Sequence, residues 1–390
     1  MSICDYDNPK LMTDDCLKPL RFISSDILQL KPVKFLAWYS FVVHFVTDLM
    51  LLLFIAYLYH DPKQNVLYIA VLIGDYYPTF ATALVLQDSE KVAHLKDELP
   101  LWAIDTAGPK HYSRIKLETQ ILSVYSIVTF LICLCGCGLY MQNLSHDQEW
   151  FFVLKMIHDF LPDYYAILSS FFRLSIPFFG YAMILHAMET IYYTQHLRYQ
   201  IIMFNEYIAG IGNCRQGKKE DDLFYDVEYQ EEVDRRLRFC IKRWDEYLGA
   251  YNNKLKEIKF MMVGFAVCGY FLGISIAIIA LSGVVTPDYF PRHLATGLGA
   301  LLTFVGVIMA GQALETEMED MVLVINGVKW YNFNKKNKTL YFTLLMNLMT
   351  ERRLQLSENY SINLELGVAI VKGIYSIVTV YTNMDMRKNF

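Results

Sequence analysis

The sequence carries none of the short patterns that mark an enzyme. GxSxG, HExxH, Walker and dinucleotide-binding motifs are missing, and no pair of carboxylates at catalytic spacing falls within an apolar run. An enzyme is therefore not expected and no cofactor is implied. Paired CxxC spacings are missing too, which removes a zinc framework. Of the eight cysteines, Cys4, Cys16, Cys214 and Cys240 sit in basic segments, where a reduced state is expected, and Cys268 lies inside an apolar run. Cys133, Cys135 and Cys137 read as small apolar residues at a helix interface. The first thirty residues are polar and acidic without an apolar core, so no cleavable signal is expected. Charge is scarce: 19% of residues are charged, and the basic ones sit in short clusters rather than one patch. Nucleic acid is accordingly not an expected partner.

Apolar residues make up 54% of the 390, with 28 Tyr and 25 Phe to supply interfacial belts and pockets. About 20 apolar residues cross the hydrocarbon core as a helix. Seven runs qualify: about Phe35 to Tyr59, Leu67 to Gln87, Leu117 to Met141, Tyr164 to Thr190, Phe260 to Val284, His293 to Leu314 and Leu364 to Met384. Lys and Arg crowd every other connection. Lys10, Lys18, Arg21, Lys31 and Lys34 precede the first run, and Lys91, Lys96, Lys110, Arg114 and Lys116 follow the second. The stretch from Arg198 to Lys259 and the one with Lys329, Lys335, Lys336, Lys338, Arg352 and Arg353 continue the alternation. The connections between hold one basic residue each: Lys63, Lys155 and Arg292. Short basic loops resist translocation. The expected fold class is thus an all-α polytopic membrane protein with seven transmembrane helices, N-terminus cytoplasmic and C-terminus extracellular. G-protein-coupled receptors have the opposite orientation; such a receptor is the alternative reading, and a transporter would call for inverted repeats that are not visible.

Two spans should continue beyond the membrane. His196 to Ile208 keeps a helical apolar stripe that Gly210 and Gly212 end. From Tyr229 to Lys259, residues Val233, Leu237, Cys240, Ile241, Trp244, Leu248 and Tyr251 share one face, which must pack on something. Glu315 to Trp330 is amphipathic, and Leu340 to Met349 is apolar but too short to cross. Together these predict a cytoplasmic helical anchor layer. The expected organisation is a cytoplasmic segment 1–34, helices one to four over 35–190, cytoplasmic extensions 191–259, helices five and six over 260–314, anchor helices 315–363, a last helix 364–384 and a tail 385–390.

Ionisable residues inside spans are costly and rarely idle. They include Asp48, Asp75, Arg173 and Lys372. Arg173 is expected either to pair with Asp75 or to join a ligand pocket beside the neighbouring phenylalanines. Pro177 and Gly180 mark a bent helix that opens room. His186 and Glu189, at i, i+3, suit interfacial hydrogen bonding better than a metal. The last span places Ser376, Thr379, Thr382 and Asn383 among β-branched residues. That composition fits a pore-lining helix and interhelical hydrogen bonding about equally.

The chain resembles the insect odorant receptors. The resemblance rests on His196-Leu-Arg-Tyr-Gln200 with Asn205-Glu-Tyr-Ile208, Arg238-Phe-Cys-Ile-Lys-Arg243, Gly311-Gln312, Trp330-Tyr331, and Lys372-Gly-Ile-Tyr-Ser-Ile-Val-Thr-Val-Tyr-Thr-Asn-Met384. It covers nearly the whole chain and is most specific from His196 onward. It implies an odorant-gated, non-selective cation channel in the plasma membrane of sensory dendrites, in which this chain is the ligand-tuning subunit. The implied partners are a longer shared co-receptor in a heterotetramer, a small volatile odorant, permeating cations and membrane lipid. Odorant is then expected among spans two, three, four and six in the outer half, at Tyr68, Leu72, Tyr76, Tyr125, Thr129, Ile132, Phe172, Arg173, Ile176, Thr296, Gly299 and Thr303. The last helix would line the pore, with Val380 as gate, Ile377 and Met384 a turn either side, and Thr379 and Tyr381 adjoining. The family's co-receptor ends its pore helix in a hydrophobic gate followed by Gln and Leu, whereas this chain has Val380-Tyr-Thr-Asn-Met384.

The alternation of basic connections places one glycosylation sequon, Asn143-Leu-Ser145, outside, and Asn337-Lys-Thr339 and Asn359-Tyr-Ser361 inside. Endoglycosidase treatment is expected to shift the mobility of the wild-type chain and of a Thr339→Ala variant, and to leave Asn143→Gln unshifted. A glycan on Asn337 or Asn359 would reverse the topology.

Overall fold

The computed structural model describes residues 9–57, 62–88, 99–145, 147–213, 220–281, 286–350, 354–357 and 360–388. Among them the chain is a bundle of helices: α1 (Lys18–Ser24), α2 (Lys31–Tyr57), α3 (Pro62–Asp88), α4 (Gly108–Met141), α5 (Asp147–Trp150), α6 (Phe152–Phe160), α7 (Tyr165–Ala209), α8 (Glu220–Leu223), α9 (Val227–Leu281), α10 (Phe290–Asn326), α11 (Lys335–Met349) and α12 (Leu364–Lys388). The strands Gln355–Ser357 and Tyr360–Ser361 pair antiparallel just before α12. Six helices, α2, α4, α7, α9, α10 and α12, contain segments long and apolar enough to cross a membrane. In α3 the apolar part, Val71–Leu86, is shorter, although the helix itself has 27 residues and reaches about 40 Å. The protein is a multi-pass membrane protein, and the seven expected spans correspond to these seven helices.

Helices α7 and α9 are much longer than a bilayer needs. They run 45 and 55 residues without a break, the second about 80 Å end to end. Gly210 caps α7 where the sequence predicts the stop. The far half of α7 is buried nearly all round, from Tyr181 to Ile208, so it forms the axis on which α1, α4, α9 and α10 pack. Val233, Leu237, Cys240, Trp244 and Tyr251 of α9 are buried in the same core. Helix α11 buries Tyr341, Leu344 and Leu348 and exposes Phe342, Met346 and Met349, so the expected packing holds on one face only.

Polar residues stitch this layer. Arg198 donates to Glu118 Oε2 (2.7 Å) and to Glu317 Oε1 (3.0 Å), tying α7 to α4 and α10. Gln200 Oε1 accepts from the Trp102 amide (2.9 Å) and from Arg243 (2.8 Å), whose guanidinium lies 4.3 Å over the Trp102 ring. Asn337 is buried, and its amide nitrogen donates to the Gln230 carbonyl at 2.7 Å, a role that leaves no room for a sugar. Asn359 lies outside the described residues. His186 Nε2 meets the Ala81 carbonyl at 3.0 Å, so its role is to join α7 to α3.

At the last span, α10 holds the start of α12. Ile362 carbonyl sits where a side chain on Gly311 would begin, so only glycine allows this crossing. One residue on, Gln312 Oε1 accepts from the Leu364 amide at 3.2 Å, and Glu315 Oε2 accepts from Asn363 at 3.1 Å. Asn363 Oδ1 also caps the helix by accepting from the Leu366 amide at 3.1 Å.

The segment before α1 is anchored by one carboxylate. Asp15 accepts from the Leu17 amide (2.9 Å), His196 Nε2 (3.1 Å), the Tyr192 hydroxyl (2.7 Å) and Arg21 (3.4 Å). Burial alone would raise its pKa, but the contacts with His196 and Tyr192 and the Leu17 amide outweigh that and hold it well below the usual carboxylate range. A depressed folded-state pKa contributes stability above the unfolded value, about 3.9, which is lost as pH falls through the folded one. Asp15→Ala, which strands His196 and Tyr192, is expected to cost about 3 kcal/mol at pH 7 and to flatten the acid limb below about pH 4. Thermal unfolding of the purified chain between pH 7 and pH 3 checks both; an unchanged acid limb would show that Asp15 is not the anchor.

Candidate functional site

Between the helices, towards the Asn143 end, lies a cavity of about 510 Å³. Helix-breaking chemistry makes room for it. Pro78 in α3 and Pro177 in α7 lack the N–H that would meet the carbonyls of Gly74 and Arg173 one turn earlier. Gly74, Gly136, Gly180, Gly269, Gly273, Gly297 and Gly299 all stand in the wall. A side chain on Gly299 or Gly269 would meet nothing within 4 Å.

Six of the twelve sequence-predicted pocket residues line this cavity: Ile132, Phe172, Ile176, Thr296, Gly299 and Thr303. The other six are placed elsewhere. Tyr68 packs edge-on to Phe54 and Phe152 in a separate cluster, and Leu72 lies against that cluster. Tyr76 points out of the bundle, 57% exposed, because the cavity side of α3 is its Val71–Gly74–Asp75 face. The Tyr125 hydroxyl donates to the Leu302 carbonyl in the space left by Gly306, and Thr129 donates back to the Tyr125 carbonyl at 2.9 Å.

Arg173 belongs to the roof, and its partner is Asp147, not Asp75. It also donates to the carbonyls of Tyr140 (3.1 Å) and Gln142 (2.6 Å) and to Asn143 Oδ1 (3.0 Å). Arg292 reaches the same aspartate at 2.7 Å and the carbonyls of Leu139 and Gln142 at 2.9 and 2.6 Å. The Tyr289 hydroxyl completes the ring on Asp147. Burial would raise the Asp147 pKa, but Tyr289, the Leu144 amide and the two arginines lower it on balance. Beneath this knot Trp150 and Tyr289 stack at 5.5 Å between ring centres and close the cavity.

Two walls escaped the sequence argument. Helix α9 contributes Phe265, Gly269, Tyr270 and Gly273, and α12 contributes Ile370, Val371 and Ile374. The signal was the glycine spacing Gly269-x-x-x-Gly273, which permits close approach: a side chain on Gly273 would collide with Ile374 (2.7 Å), and one on Gly373 with Tyr270 (2.9 Å). The last helix is thus a wall of the cavity, and it is the least packed span. Only 6% of its apolar window is buried, against 50% for α7. Ile377 and Val380 are exposed, Tyr381 is half-buried, and Thr379 donates to its own helix at the Tyr375 carbonyl (2.8 Å). The Met384 side chain lies outside the described residues.

No model of a known protein family matches the chain, and no curated protein matches it. Solved structures do. The chain is similar to the insect olfactory receptor OR5 from Machilis hrabei in complex with eugenol, with a TM-score of 0.61, 9% identity, and 95% of this chain and 97% of that one covered. A second structure of that receptor matches with a TM-score of 0.53 and 10% identity, covering 88% and 87%. The chain therefore has the fold of an insect olfactory receptor.

Gly299→Leu should fill part of the cavity without straining the helix. The expected outcome is an unfolding temperature within a few degrees of wild type and a loss of response that grows with ligand size, by about 1–3 kcal/mol per displaced methylene group or two. Concentration–response curves over a homologous series check this; uniform loss for all sizes would place the ligand elsewhere.

Proposed function

We propose that this protein is an odorant receptor, the ligand-tuning subunit of a ligand-gated non-selective cation channel. It binds a small volatile in the cavity and opens a central pore in a heterotetramer with a longer, shared co-receptor, in the plasma membrane of a sensory neuron. The observation that carries this reading is the double duty of α12. One face walls the cavity through Ile370 and Ile374, while Val368, Tyr375, Ile377 and Val380 are left uncovered by the chain. A helix that a ligand touches on one side and that lacks a partner on the other is suited to carry a pocket event into an assembly. The neighbouring receptor of this fold was solved with eugenol, a small aromatic. A cavity of about 510 Å³ suits ligands of that kind, held mainly by shape and dispersion.

With the basic connections inside, the Asn143 end faces outward and the layer around Arg198 and Gln230 lies in the cytoplasm. There the uncovered face of α11, with Phe342 and Met346, is a surface for neighbouring subunits. Odorant shifts the closed–open balance only by its differential affinity for the two arrangements, a few kcal/mol. That difference can arise where α9 and α12 meet at Gly273 and Gly373, since any ligand that moves Tyr270 or Ile374 moves the last helix. Val380 supplies an apolar ring that denies an ion its hydration shell when narrow.

Val380→Ser, expressed with the co-receptor, is expected to raise basal current or change cation selectivity while leaving the ranking of odorants intact. Whole-cell recording under ion substitution reads it. Unaltered leak, conductance and selectivity in both Val380→Ser and Val380→Gln would put the pore away from α12.

A further inference from the structure

The cavity wall is mostly apolar, and one of its few polar groups is a carboxyl group that finds no partner among the described residues. Asp75 of α3 stands in the wall. None of the described residues donates a hydrogen bond to its carboxylate or forms an ion pair with it. The arginine that the sequence offers it, Arg173, is consumed by Asp147, Asn143 and two carbonyls, and Arg292 is consumed by Asp147 and two more. A second acid, Asp48 of α2, is near enough to interact with Asp75 electrostatically, and the Thr79 hydroxyl serves Asp48 at 2.8 Å. The wall therefore brings two acids close together, and among the described residues no cationic side chain is paired with Asp75.

Several hydroxyls in the wall are already engaged within the protein. The Tyr140 and Thr296 hydroxyls share a hydrogen bond (3.2 Å), and the Thr296 hydroxyl also lies 3.1 Å from the Arg292 carbonyl. Tyr289 donates to Asp147, Ser275 to the Phe271 carbonyl (2.9 Å), and Thr303 to the Gly299 carbonyl (3.0 Å). These hydroxyls have spent their protons within the protein, so they offer little to a ligand that needs donors, such as a ketone or ester. Left open to the cavity are one ring nitrogen each of His44 and His293, which meet no partner, and the one acidic group, Asp75. A carboxyl group buried without a partner is unfavourable, and a ligand that brings donors removes that penalty.

We propose that the cavity recognises a small amine, its ammonium group on the Asp75 carboxylate and its hydrocarbon body against Phe172, Ile176 and Phe265. The proposal rests on the reading of the cavity as the odorant site. It assigns to Asp75 the choice among odorants, and to the apolar wall the choice of size.

Three probes of nearly equal shape test it on the full chain: 2-phenylethylamine, 2-phenylethanol and ethylbenzene. With the co-receptor, the amine is expected to act at a half-maximal concentration at least about tenfold below that of ethylbenzene, as a charge-assisted hydrogen bond would give. Asp75→Asn should abolish that advantage, bringing the half-maximal concentrations of amine and ethylbenzene within about twofold of each other, and Asp75→Glu should retain it. Equal or better response to ethylbenzene in the wild type, or an amine advantage that survives Asp75→Asn, overturns the proposal. If Asp75→Asn fails to reach the surface, the wild-type ranking together with Asp75→Glu decides. If no probe evokes current, thermal unfolding of the purified chain with each probe separates the two failures. Selective stabilisation by the amine upholds the role of Asp75 and counts against the channel reading. No stabilisation by the amine overturns the role of Asp75.

Discussion

A charge inside an apolar body must find a partner there, and this protein is organised by how it meets that constraint. At one end of the helices, Asp147 gathers Arg173 and Arg292. At the other, Arg198 bridges Glu118 and Glu317, and Asp15 gathers His196 and Tyr192. Each cluster draws on helices remote in sequence, so each fixes how those helices sit against one another. Buried ion pairs add little net stability over well-packed hydrocarbon, but breaking one is costly. Their role here is to fix register. In a bilayer, where apolar contact alone distinguishes poorly between one helix rotation and another, that role matters more.

Between the two polar ends lies the region with the least partnering, and the cavity is there. Prolines and glycines thin the packing, and among the described residues none pairs with the Asp75 carboxyl group in the wall. The Asp147 cluster ties the helices together at one end, and the Arg198 cluster ties them at the other. The cavity lies between these two clusters, with α9, α10 and α12 among its walls. Helix α10 connects the cavity to the last helix. It lines the cavity through Thr296 and Thr303, then, two turns later, clamps the start of α12 through Gly311, Gln312 and Glu315.

Much of the candidate site was hidden from a linear reading for an identifiable reason. Depth along a helix can be counted from the sequence, and Ile132, Phe172, Ile176, Thr296, Gly299 and Thr303 were found that way. Rotation about the helix axis cannot, because a span that contacts both lipid and protein is apolar on all sides. Tyr76 and Asp75 are neighbours in sequence, yet one faces outward and the other the cavity. Arg173 shows the same limit: depth along the span pointed to Asp75, and only the folded chain brings Asp147 to it. The motifs that carried the resemblance, among them His196, Arg198, Gln200 and Gln312, are the residues that hold the hydrogen-bond clusters together.

The sequence by itself determined the class of fold, where the long apolar helices lie, that two of them run much longer than a bilayer needs, and that the first of these stops at Gly210. Those features depend on hydrophobic length, charge bias and glycine punctuation, all of which are local. The tertiary structure decided which carboxylates are partnered, which helices wall the cavity, and that α12 is one of them. Those depend on contacts between helices far apart in the chain, where a hydrogen bond or a glycine a few ångströms away outweighs anything the neighbours in sequence prescribe.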